Sequence, residues 1–75
     1  MGFSMKTTDE LLKIVGAGGG LVLEAGRRTT DELIGISAAA KRSGAIVVFR
    51  NMAMRKTDSL VKIAAAGKGK VIFES

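Results

Sequence analysis

The same short pattern is written three times along this chain. Residues 7–23 read TTDELLKIVGAGGGLVL, residues 29–49 read TTDELIGISAAAKRSGAIVVF, and residues 57–73 read TDSLVKIAAAGKGKVIF. Asp9, Asp31 and Asp58 mark the three copies, standing 22 and 27 residues apart. Periods of roughly 20 to 50 residues belong to stacked arrays, in which no unit buries its apolar face until a neighbour covers it. The chain therefore reads as one domain, 1–75, built from units spanning about 6–26, 28–51 and 55–75.

Each unit opens with a hydroxyl beside an acid: Thr8-Asp9, Thr30-Asp31, Thr57-Asp58. Threonine supplies an oxygen for the unpaired amides of a first helical turn, and carboxylates are favoured at the positive end of the helix dipole. Thr7 with Glu10 and Thr29 with Glu32 have capping-box spacing; the third unit breaks it with Lys56 and Ser59. These acids are start signals rather than catalytic groups. Apolar residues then recur on one helical face: Leu11, Leu12, Ile14, Val15; Leu33, Ile34, Ile36; Leu60, Val61, Ile63. The helices run out near Gly18, Gly44 and Gly67, where a left-handed residue costs least. Apolar runs at 21–23, 45–49 and 71–73 follow, and short continuous runs between helices predict parallel strands joined by right-handed crossovers. The fold class is α/β: a three-unit helix-strand repeat with a three-stranded parallel sheet and helices on one face.

Alternation along the strands assigns the faces. With the strands in register, Leu21, Val47, Val71 and Leu23, Phe49, Phe73 share one face; its two phenylalanines place it under the helices. Val22, Val48 and Ile72, with Glu24, Arg50 and Glu74 in the next row, share the opposite face, which nothing in the chain is available to cover. That face is the candidate binding surface. Self-association is the expected use, because a chain of 75 residues is near the lower limit for a self-sufficient core and has no Cys for disulfides. A second surface is a basic rim on the loops entering the helices: Lys6, Arg28 and Arg55 align, with Arg27 and Lys56 beside them. A net charge of +5 makes nucleic acid the alternative partner, and Arg27, Arg28, Arg55 and Lys56 are the residues that would track phosphates. Neighbouring Asp9, Asp31 and Asp58 dilute that field, and with no Trp or Tyr there is little for bases to stack on.

No cofactor or metal is expected, since the chain has neither Cys nor His. The glycine-rich segments GAGGG at 16–20 and GKGK at 67–70 close helices and open strands, the reverse of a phosphate loop. Without His, Cys or Tyr, and with the Asp residues at helix starts, no catalytic residue is assigned and the chain does not read as an enzyme. No run approaches the ~18 apolar residues of a membrane span, so a cytoplasmic location without membrane contact is expected. Residues 1–4, MGFS, read as a remnant ahead of a native start at Met5.

The fragment Ile46-Val47-Val48-Phe49-Arg50-Asn51 echoes the L-x-L-x-x-N part of a known consensus, and the alternation of short helices and strands resembles leucine-rich repeats of the helical type. The resemblance covers the architecture of about 65 residues and the motif once. It implies a binding scaffold and carries over no catalytic residue. The protein partner itself is not encoded in any motif.

Overall fold

The computed structural model of the chain describes residues 6–75. Within them helix and strand alternate as α1 (Thr8–Gly16), β1 (Leu21–Glu24), α2 (Thr30–Ser43), β2 (Val47–Arg50), α3 (Thr57–Gly67) and β3 (Val71–Phe73). The strands form one parallel sheet in the order β1-β2-β3. Leu21 pairs with Val47 and Val47 with Val71; Leu23 pairs with Phe49 and Phe49 with Phe73. The register is the one the in-phase apolar runs predict. Residues 1–4, read above as an added remnant, lie outside the described residues.

The three helices lie on a single face of the sheet, with α2 between α1 and α3. Leu11 and Val15 of α1, Leu33 and Ile36 of α2 and Ile63 of α3 meet Leu23, Val47 and Phe49 of the strands in one core. The Phe49 and Phe73 rings stack with centroids 6.5 Å apart. The one buried polar side chain, among the described residues, is Ser37; its hydroxyl donates to the Leu33 carbonyl at 2.7 Å, which satisfies it inside its own helix.

Local chemistry explains the helix boundaries. Thr7 and Thr29 cap α1 and α2, and both capping boxes are complete: each threonine hydroxyl accepts the amide of Glu10 or Glu32, whose carboxylate accepts the threonine amide. Helix α3 starts after Lys56 with no side-chain cap, as its broken motif predicts. Gly44 ends α2 with φ 82°, the left-handed geometry glycine adopts freely. The third unit differs from expectation. There the left-handed residue is Lys68, at φ 44°, while Gly67 stays in the helix. Gly67 is required for closeness instead: a Cβ there would collide with the Val71 side chain and stand 3.4 Å from the Ser37 Cβ. Strand β2 starts later than its apolar run, at Val47, and ahead of it the Ala45 amide donates to Ser43 Oγ at 3.3 Å. The same hydroxyl donates to the Val15 carbonyl at 2.6 Å and ties the second unit to the first.

Candidate functional site

The sheet face away from the helices is open. Val22 is 51% exposed, Ile72 48% and Ile46 49%, with Val48 half-buried between its neighbours. Val22, Val48 and Ile72 are register partners, so they form a continuous apolar row across all three strands. In the next row Glu24 pairs with Arg50, and Arg50 Nε lies 3.3 Å from a Glu74 carboxylate oxygen. The six residues assigned to this surface are thus brought together on one side of the sheet. Strands β1 and β3 each have one edge with no strand partner among the described residues.

The loop rim is built differently from a free basic stripe. Arg28 turns back onto the first unit: Nη1 donates to Thr8 Oγ1 at 3.0 Å and Nη2 to the Lys6 carbonyl at 2.6 Å, with Glu32 3.9 Å away. Arg55 repeats the contact one unit later. Its Nη1 donates to Thr30 Oγ1 at 3.2 Å, and its Nη2 donates to the Ala25 carbonyl at 2.8 Å and to the Arg28 carbonyl. Arg28 thus staples the second unit to the first, and Arg55 staples the third to the second and to Ala25 at the end of the first, whose carbonyl also accepts the Arg28 amide at 3.1 Å. Arg27 and Lys56 are exposed. The column of aligned residues was legible in the repeat; its inward direction was not, because most acceptors are carbonyls that every sequence carries.

The paired threonines divide their labour. Thr7 and Thr29 cap helices, whereas Thr8 and Thr30, already helical, accept from Arg28 and Arg55. The Thr8 hydroxyl in turn donates to Glu32. This bond, with the Thr29 amide, holds the Glu32 carboxyl below its ordinary range; the Thr7 amide does the same for Glu10. Both carboxyls have lowered values in the folded state, so their stabilisation is present at neutral pH and is lost as pH falls through the ordinary value near about 4.3 towards the lower folded values. The melting temperature is expected to drop between about pH 5 and about pH 3, and to drop less in a Glu10→Gln, Glu32→Gln double variant. Equal drops in parent and variant would assign the acid sensitivity to other groups.

A shallow apolar groove of about 130 Å³ opens at the free end of the third unit, lined by Met52, Ala53, Leu60, Phe73, Glu74 and Ser75. Among the described residues no cluster of His, Cys, Asp or Glu is arranged to hold a metal, and no helix is long and apolar enough to cross a membrane. Comparison with protein families, with curated sequences and with solved structures finds no match to the chain.

Proposed function

We propose that this chain is a non-enzymatic protein-protein interaction module that associates with copies of itself through its uncovered sheet face or its open edge strands. The observation that carries this reading is the combination of an apolar row open to solvent with two strand edges that have no strand partner among the described residues. A chain of 75 residues buries little enough surface that uncovered apolar area is a large fraction of what it has. Unpaired edges are templates for another chain. The alternating helix-strand architecture, with its likeness to leucine-rich repeats, supports a scaffold that presents surfaces rather than a pocket for chemistry. The alternative, a nucleic-acid-binding rim, has less support, because the guanidinium donors of Arg28 and Arg55 are engaged by the preceding units and only Arg27 and Lys56 project freely among the four.

Light scattering across micromolar concentrations tests the proposal, with a mass above 7.8 kDa that rises with concentration as the expected result. A mass of one chain at every concentration removes it. The sheet face has its own test in stability. Val48→Asp places a carboxylate in the middle of the Val22-Val48-Ile72 row and removes a β-branched residue from a central strand, an expected loss of about 1–2 kcal/mol. Lys13→Asp, on an exposed helix position, is expected to stay within about 0.5 kcal/mol. Denaturant midpoints that shift equally would show that the row is not a packed unit.

A further inference from the structure

The three units bury equivalent residues unequally, and the inequality has a direction. Ile14, Ile36 and Ile63 occupy the same place, five residues after the Asp of each unit. Ile36 and Ile63 have a unit before them and are fully buried; Ile14 has none and is only half-buried. One residue further on, the order reverses. Val15 and Ser37 have a unit after them and are fully buried, whereas Ala64, at the end of the stack, is exposed. Leu12, Ile34 and Val61 follow the second rule, half-buried in the first two units and 60% exposed in the last. Among the described residues no unit stands before the first or after the third, and the positions that the other units cover with a neighbour are the ones left more open there.

Polar groups at the two ends match in the same way. Thr8 receives Arg28 and bonds Glu32 of the unit that follows it, and Thr30 receives Arg55. Thr57 is the third member of that series and is exposed, while the groups equivalent to Arg28 and Glu32 at the start of the chain, Lys6 and Glu10, are exposed too. The edges of β3 and β1 that have no strand partner among the described residues are complementary in the parallel sense. Continuing the observed register sets Val71 opposite Leu21 and Phe73 opposite Leu23 of the next copy.

We infer that the partner is a second copy of this chain docked head to tail, its α1 and β1 acting as a fourth unit on α3 and β3. This inference rests on the self-association reading and specifies its geometry. The contact is heterologous: one end of one molecule meets the opposite end of the next, so that assembly propagates into a ring or a filament and leaves the open sheet face uncovered along its length. Thr57 receives Lys6 and Glu10, and the groove lined by Leu60 and Phe73 is filled by the incoming unit.

End-blocked variants test it. Ala64→Asp blocks the tail at an exposed position, and Ile14→Asp blocks the head; Ala17→Arg, also exposed, is a second head block that leaves the core untouched. Circular dichroism establishes that each is folded, and sedimentation equilibrium reads the mass. The expected result is that each variant alone sediments as one chain, while an equimolar mixture of Ala64→Asp with Ala17→Arg gives a species of twice the chain mass that grows no further, because one intact head meets one intact tail. Lys41→Ala, exposed on the middle unit and at neither end, is expected to associate like the parent. If the parent associates but the end-blocked variants associate equally, or their mixture stays single-chain, the head-to-tail geometry is overturned while self-association stands. A parent that is single-chain at every concentration overturns both.

Discussion

Phe49→Ala is expected to take away a large share of the stability of this chain. Phe49 lies on the middle strand, fully buried, with Leu23 and Phe73 as its register partners and the helices above it. Its ring stacks on Phe73 at 6.5 Å, so truncation removes both the transfer term and the aromatic contact and leaves a cavity at the centre of a two-layer fold. Large-to-small changes of this kind cost about 3–5 kcal/mol. A domain of 75 residues holds roughly 4–11 kcal/mol in total, so the loss is a large share of it. Phe73→Ala, on the edge strand and half-buried, is expected to cost about half as much. Urea titration of the two variants checks the ranking; equal losses would mean that the third strand is as enclosed as the second.

Arg55→Met is the second large effect. The substitution keeps much of the apolar stem and deletes the guanidinium that donates to the Ala25 and Arg28 carbonyls and to Thr30. Charge-assisted hydrogen bonds contribute about 1.5–3 kcal/mol, and the acceptors left behind are partly shielded from water. Arg55 Nε is itself buried without a partner among the described residues, which offsets some of that gain. The expected loss is about 2–3 kcal/mol. Arg55→Lys recovers only part, because a single ammonium cannot reproduce the planar fork that reaches Thr30 and Arg28 of the preceding unit and Ala25 of the first. Arg27→Met, at an exposed neighbour, is expected to lie within about 0.5 kcal/mol of the parent. Similar losses from Arg27→Met and Arg55→Met, read by thermal and urea unfolding, would remove the staple from the account of stability.

Much of the architecture was legible because it is local or periodic. A capping box is written in four consecutive residues, so Thr7 with Glu10 and Thr29 with Glu32 could be read directly, and so could the missing cap at Lys56. Strand faces alternate with a period of two, and three apolar runs in phase with three helix starts admit one register, the one observed. The candidate sheet face followed from the same alternation, and Val22, Val48 and Ile72 do form one row on the side away from the helices.

What escaped the sequence involves approaches between units. Gly67 reads as a helix terminator, yet its role comes from the Val71 side chain and Ser37 pressing against the place where its side chain would be. Ser43 carries no signal in the repeat, yet its hydroxyl bonds the Val15 carbonyl across 28 positions of sequence and accepts the Ala45 amide. Arg28 and Arg55 read as a phosphate-tracking rim and turn inward instead, towards carbonyls. By itself, then, the sequence determined the repeat, the strand order, the faces and the helix starts, since periodicity and capping depend on neighbours along the chain. Tertiary structure alone decided where the arginines point, that a side chain at Gly67 would meet Val71, and that Ile14 is only half-buried and Ala64 exposed where the equivalent positions of the other units are buried. Those outcomes depend on which backbone atoms lie one unit away, and backbone atoms are the same for every residue until the fold brings particular ones together.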